Sequence, residues 1–294
     1  MAKSFEDRDG WIRMNGNFIP WKNATSHIVS QGLHYASAVF EGERAYNGKI
    51  FKSEEHTKRF FKSAKIIGIK IPFFEEEINS AKKELIKKMN YKDCYVRPLA
   101  WRGGDQMGIS TTQSNINVAI AVWDDWASYF KIEDRKAGLK LITSPWKRPA
   151  PDTAPYEAKA SGPYIICTMS KEFAESKGYH DALMLDYRGY VAEGTGANIF
   201  FIKDNDIHTP IPDCFLNGIT RQAVIKMATE QGFKITGRHI LPDEIQNYDE
   251  AFLTGTAAEI TPIRSIDNIN FTTGDNTTTF KFMSDFSELV NSSN

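Results

Sequence analysis

The sequence predicts an α+β protein with two sheet-containing domains, and three observations predict it. Of 294 residues, 41% are hydrophobic and 12% aromatic, enough for one large core or two ordinary ones. Strand-like apolar runs and segments of helical periodicity occur in both halves of the chain. Between the halves, Asp124 to Gly138 is polar, aromatic and unpatterned, as a linker would be. The expected division is a small N-terminal domain over residues 1–128, a linker over 129–137 and a larger C-terminal domain over 138–294.

The elements follow in order. Trp11-Ile12-Arg13-Met14 and Phe18-Ile19 flank Asn15-Gly16-Asn17, a hairpin signal because Asn and Gly tolerate the positive φ of a tight turn. Ala45 to Phe51 repeats that signal around Asn47-Gly48. A helix is expected from Ser53, as N-cap, to about Ile67, with His56, Phe60, Ala64 and Ile67 on one face. A second runs from about Phe74 to Met89; its acidic start and basic end complement the helix dipole and need no functional reading. Tyr95 to Trp101 and Ile116 to Trp123 read as buried strands. In the second half, Leu139 to Thr143 is a strand, and the prolines of Lys147 to Pro155 demand a loop. Pro163 suits the first position of a helix reaching about Ser176. Asp181 to Asp186 and Tyr190-Val191 form a hairpin, and Asn198 to Ile202 and Ala251 to Leu253 are strands. A helix runs from Arg221 to about Gln231, stopped by Gly232. The stretch after Ile266 is short and polar and receives no assignment.

Composition excludes several classes. Lys+Arg number 36 and Asp+Glu 37, so there is no basic excess of the kind a nucleic-acid binder needs. No apolar run approaches the ~20 residues that span a bilayer. The start, MAKSFEDRDG, lacks the apolar core of a signal peptide, so a cytoplasmic location is expected. Cys94, Cys167 and Cys214 are scattered and read as reduced thiols. The six histidines form no HxxxH pair, and no metal site is expected.

Four segments carry candidate chemistry. In GITRQAVIKMATEQG, Thr220 could cap a helix whose first amides suit an anion, and Gly218 lets backbone approach a ligand; an ordinary capped helix is the alternative. Glu193-Gly194-Thr195-Gly196-Ala197-Asn198 is a Gly-rich turn led by a carboxylate and entering a strand, which a plain hairpin with a surface Glu would also explain. Lys159 lies among small residues in Glu157 to Tyr164, with the room a Schiff-base lysine needs, though a surface lysine fits as well. Tyr95 and Arg97 share one strand face, and an inward Arg requires an anion, from the protein or from a substrate.

Taken in order, these segments resemble one family. LHYASAVFEG, EEHTKRFFKSAK, YVRPLAWRGGDQMG, APYEAKASGPY, EGTGANIFF, FLNGITRQAVI and LTGTAAEITPI are similar to the branched-chain amino-acid aminotransferases of the fold-type IV pyridoxal-phosphate class, over about Trp11 to Ile266. The signature Glu193, Asn198, Phe200, then Gly218, Ile219 and Arg221, is part of that resemblance. D-amino-acid aminotransferases and aminodeoxychorismate lyases share the fold and stand as alternatives, as does a non-catalytic relative; Tyr95-x-Arg97 with Thr256-Ala257-Ala258 favours the branched-chain enzyme.

The resemblance implies a small N-terminal α/β domain, a larger domain with a mixed, partly barrel-like sheet, an active site in the cleft between them, and pyridoxal 5'-phosphate as cofactor. It implies that Lys159 carries the cofactor and moves the substrate proton, that Glu193 pairs with the pyridine nitrogen, and that Tyr164 bonds the ring 3′ oxygen. Arg59, the amides of Ile219 and Thr220 beside Gly218, and Thr256 would take the phosphate, with Leu216 against the ring. Tyr95, Thr256 and Ala257 would hold the substrate α-carboxylate, and Arg97 and Tyr129 the distal carboxylate of glutamate. Phe40 and Tyr35 would wall the side-chain pocket, Tyr35 from a second copy in at least a homodimer. The implied partners are small molecules: branched-chain L-amino acids, L-glutamate and their 2-oxo acids.

Overall fold

A computed structural model describes residues 4–105, 108–110, 114–124 and 131–292. They form two compact units. The first holds the described residues up to 124 together with Ala158–Gly162, and the second holds 131–157 and 163–292. Thus the chain returns to the first unit for the segment that contains Lys159.

The first unit comprises β1 (Trp11–Met14), β2 (Asn17–Pro20), α1 (Gln31–His34), β3 (Ala38–Phe40), β4 (Glu43–Tyr46), β5 (Lys49–Ile50), α2 (Ser53–Ile66), α3 (Glu75–Met89), β6 (Cys94–Arg102) and β7 (Ile116–Trp123). Its antiparallel sheet runs β2-β1-β7-β6-β4-β5, with β3 also on β6. Alternation sorts the faces of the long strands. Val96 and Ala100 of β6 join Val118, Ile120 and Val122 of β7 in the core, with Phe60 and Ala64 of α2 and Ile78 and Leu85 of α3. Tyr95 and Arg97 therefore belong to the other face, as the strand pattern requires. A buried Lys82–Glu43 ion pair of 2.7 Å ties α3 to β4, and Thr57 accepts from the same ammonium at 2.8 Å. The hairpin turns at Asn15-Gly16 and Asn47-Gly48 have the positive φ that their sequences suggest. Ser53 is not the N-cap of α2. Lys52 fills that position in the left-handed region, and the Ser53 hydroxyl donates to Asn79 of α3 instead.

The second unit comprises α4 (Ile132–Ala137), β8 (Leu139–Thr143), α5 (Tyr164–Ser176), β9 (Asp181–Leu185), β10 (Val191–Glu193), β11 (Asn198–Lys203), β12 (Asp206–Pro210), α6 (Ile219–Glu230), β13 (Lys234–Arg238), β14 (Glu250–Gly255), β15 (Glu259–Ile266), β16 (Ile269–Asn270) and α7 (Thr278–Ser292). Strands β10-β9-β8-β15-β14-β11 pair in sequence, and β10 pairs again with β11, so the sheet closes on itself as a barrel. β12 and β13 extend it from β11, and parallel and antiparallel pairings mix. Ile199 and Phe201 of β11 join Ala251 and Leu253 of β14 in one core, while Phe200 and Phe252 stack at 4.9 Å on the other face of these strands, with the Phe282 ring of α7 edge-on to Phe252.

Three helices lie where the sequence pattern suggests none, the short α1 among them. The stretch assigned to the linker contains α4, held by an Arg135–Glu259 ion pair of 3.0 Å and by Asp134 against His180. The C-terminal stretch forms α7, which buries Phe282, Phe286 and Val290 at helical spacing. Glu250 of β14 accepts from the Thr278 and Thr279 amides at 3.0 and 2.8 Å and so caps it from a distant strand. Among the described residues no helix is long and apolar enough to cross a membrane.

Candidate active site

Each unit carries a group of charged side chains. In the first, Lys159 is held by backbone on both sides: its amide donates to Ser63 Oγ of α2 at 2.9 Å, and its carbonyl accepts from the Phe40 amide at 3.1 Å. Ala160 bridges Val39, so the segment runs beside β3. The Lys159 ammonium lies 5.1 Å from the centre of the Phe40 ring. Burial first, then the Arg59 charge, push its pKa down to about 8, with Glu41 and Tyr95 pulling upward and Arg97 adding a smaller downward push. An amine with that pKa loses its proton far more readily at neutral pH than a surface lysine does.

Arg97 donates to the Tyr95 hydroxyl at 3.2 Å, and its guanidinium stands 4.9 Å from the Phe40 ring. Phe40, Tyr95, Arg97 and Lys159 are thus brought together. Gly42 is needed there, because a Cβ would run into the Tyr95 hydroxyl. Arg59 reaches the buried Glu41 from α2, with Nε at 2.6 Å and Nη2 at 2.8 Å. Tyr35 ends α1 with its ring against His34 and 48% exposed, so its own chain does not enclose it. Tyr129 lies outside the described residues.

In the second unit the Gly-rich turn joins β10 to β11, with Glu193 opposite Asn198. Glu193 is only 8% exposed, which removes the reading of a surface carboxylate. Asn198 organises its surroundings. Its Nδ2 donates to Glu193 Oε2 at 3.1 Å and to the Leu216 carbonyl at 3.0 Å, while its Oδ1 accepts from the Gly218 amide at 3.0 Å. Gly218 also has a place in the fold itself: a Cβ there would collide with Asn198 Oδ1, so the glycine makes room for the Asn198 side chain. Sequence reasoning missed Arg148, which is buried in the Pro-rich loop with Nε 3.5 Å from Glu193 Oε1. Burial works against its charge, but the Glu193 charge, together with smaller contributions from Cys167, Tyr164 and Cys214, pushes its pKa up on balance. No local signal joins two residues so far apart in the chain.

α6 starts earlier than expected, at Ile219, with Gly218 as N-cap. Thr220 is therefore not the cap but the second helical residue, and it is buried. No side chain among the described residues caps this helix, and α-helix geometry gives the first amides, Ile219 and Thr220 included, no acceptor within the helix. Such an end suits an anion. Arg221 is drawn inward, donating to Thr209, Asn217 and the Pro210 carbonyl, and pins the loop before α6. Tyr164 is the first residue of α5, half-buried, and Thr256 and Ala257 form the half-buried turn from β14 to β15. Asp186, Asp213 and Cys214 come together, but both carboxylates bond Arg188, at 2.6 and 2.8 Å.

The donor types match a phosphorylated aldehyde on a pyridine ring: an amine of lowered pKa and a guanidinium in one unit, a buried carboxylate and an uncapped helix N-terminus in the other. Residues 38–266 match the family model for amino-transferase class IV. A probable branched-chain-amino-acid aminotransferase of Rickettsia bellii is 43% identical over 91% of this chain and 91% of its own length. The branched-chain-amino-acid aminotransferase of Pseudomonas aeruginosa is 42% identical over 90% of this chain and 87% of its own. Among solved structures, the branched-chain amino acid aminotransferase of Escherichia coli superposes with a TM-score of 0.92 at 34% identity, covering 97% of this chain and 96% of that one. A further crystal structure, of a branched-chain amino acid aminotransferase with pyridoxamine 5'-phosphate, gives 0.91 at 38% identity over 97% of this chain and 95% of that one.

Proposed function

The chain belongs to the class IV aminotransferases, and on that premise we propose that it is a branched-chain amino-acid aminotransferase. It exchanges the amino group of L-leucine, L-isoleucine or L-valine with 2-oxoglutarate, giving the branched 2-oxo acid and L-glutamate, with pyridoxal 5'-phosphate as cofactor. The observation that carries this reading is Lys159, whose ammonium is desolvated and has a pKa lowered to about 8. When bound, the cofactor supplies an aldehyde for an amine and a ring that draws electrons from the carbon losing its proton.

The chain's own residues then divide the work. Lys159 would bind the cofactor and, once displaced by substrate, move the proton between the substrate Cα and the cofactor C4′. Glu193, oriented by Asn198 and paired with Arg148, would hold the proton on the pyridine nitrogen. Tyr164 would donate to the ring 3′ oxygen, and Leu216 would pack on the ring. Arg59, the Ile219 and Thr220 amides beside Gly218, and the Thr256 hydroxyl would hold the phosphate. Tyr95 with the Thr256 and Ala257 amides would hold the α-carboxylate, and Arg97 with Tyr129 the distal carboxylate of glutamate. Phe40 would line the apolar part of the pocket.

The active form would be at least a homodimer, in which Tyr35 helps to wall the pocket of the other copy. Ile28, Leu33 and Tyr35 are 71%, 70% and 48% exposed on one short segment, which supports such a covered surface. Three buried cysteines that form no disulfide suit a reducing, cytoplasmic location. The test is direct: purified protein with leucine and 2-oxoglutarate should form glutamate. Exchange with D-alanine but not with leucine, isoleucine or valine would overturn the branched-chain assignment.

A further inference from the structure

The reaction as assigned uses Arg59 and Lys159 but gives no task to Glu41. That carboxylate is 0% exposed and accepts from three side-chain nitrogens: Arg59 Nε at 2.6 Å, Arg59 Nη2 at 2.8 Å and His56 Nδ1 at 2.7 Å. His56 and Arg59 stand one turn apart on α2, and Glu41 lies on the link from β3 to β4. Burial alone would raise the Glu41 pKa, but the Arg59 and His56 charges and hydrogen bonds hold it far below the carboxylate range. A buried carboxylate of this kind adds little to stability over an apolar replacement. α2 is also anchored without it, by Phe60 and Ala64 in the core and by Thr57 on Lys82. What the two-point pairing does is fix the plane of the guanidinium, because the Nε/Nη2 edge is matched to both carboxylate oxygens.

We propose that Glu41 is the positioning residue of the phosphate clamp, holding the Arg59 guanidinium, with His56 behind it, in the orientation from which Arg59 takes the cofactor phosphate. The inference rests on the assignment of Arg59 to that phosphate. A second consequence concerns charge. Lys159 and Arg59 are cations close enough to interact, and Glu41 is the anion that offsets them before the phosphate arrives.

The test compares two probes on the full chain freed of cofactor: pyridoxal 5'-phosphate and pyridoxal, which lacks the phosphate. The dissociation constant of pyridoxal divided by that of pyridoxal 5'-phosphate isolates the phosphate grip from the effects on the fold or on Lys159 that both probes share. Glu41→Gln should lower the ratio about tenfold, as one weakened charge-assisted hydrogen bond would. Arg59→Gln should lower it about a hundredfold. A Glu41→Gln ratio equal to or above that of the parent chain, with Arg59→Gln reduced, overturns the positioning role and leaves the phosphate assignment standing. An unchanged ratio in Arg59→Gln overturns the assignment and the inference with it. Should Glu41→Gln fail to fold, Glu41→Asp keeps the charge but not the two-point reach; a ratio like that of the parent chain in that variant also overturns the proposal.

Discussion

A lysine attacks a carbonyl only after losing its proton, so the Lys159 pKa of about 8 governs how readily the cofactor is taken up. The rate at which pyridoxal 5'-phosphate joins the cofactor-free chain should rise with pH through a midpoint near 8; a midpoint near the ~10.4 of an ordinary lysine would contradict the burial argument. Glu193 has a different task in the proposed assignment, and its loss would separate chemistry from binding. Glu193→Gln can still accept the Asn198 hydrogen bond but leaves Arg148 a buried, unpaired charge. It should keep its fold at a cost of about 3 kcal/mol, read by denaturant unfolding. It should also bind cofactor yet lose turnover by orders of magnitude. Near-normal turnover would return Glu193 to a merely structural place in its turn. In the proposed assignment, Arg97 serves a pocket that admits glutamate and leucine alternately. Screened by the Tyr95 hydroxyl and the Phe40 ring, it can stand idle beside an aliphatic side chain and pair with a carboxylate when one enters. Arg97→Ala should therefore lower kcat/KM for glutamate roughly ten- to a hundredfold and that for leucine much less. Single-turnover spectra of each half-reaction distinguish this from equal losses, which would mean that Arg97 holds the α-carboxylate.

Among the elements, α6 shows how a helix start is built without a capping side chain. Gly218 replaces the cap, and Asn198 on β11 fixes its amide from outside. Gly218→Ala would push Asn198 away and loosen its bonds to Glu193 and to the Leu216 carbonyl. The expected result is a loss of about 1–3 kcal/mol in stability together with weaker cofactor binding; unchanged values of both would show that α6 does not depend on this contact. The same element marks the reach of sequence reasoning. Its helical run was legible, but its first turn was not, because Thr220 looks like a cap and the real partner, Asn198, lies on another strand. β6 and β7 were legible because alternation of apolar residues is local. α7 was not, since the polar run from Thr272 masks the stripe of Phe282, Phe286 and Val290, and its cap comes from Glu250. β12 and β13 pair in parallel across an intervening helix, a partnership that no turn signal announces.

For the whole molecule, the legible part of the candidate site is the part whose evidence lies within a few residues: the small neighbours of Lys159, the turn after Glu193, the alternation of Tyr95 and Arg97. The positions that act on those residues were out of reach. Glu41 meets Arg59 across a hairpin, Arg148 meets Glu193 across a helix and a hairpin, and only folding brings each pair to 2.6 and 3.5 Å. Resemblance to a family supplied roles for Lys159 and Glu193 that neither composition nor spacing could supply. The account stands or falls on Lys159. Borohydride reduction of the purified holoenzyme, followed by peptide mapping, should place the phosphopyridoxyl group on the peptide containing Lys159 and bleach the yellow colour. An adduct on any other lysine, or no covalent adduct at all, would contradict it.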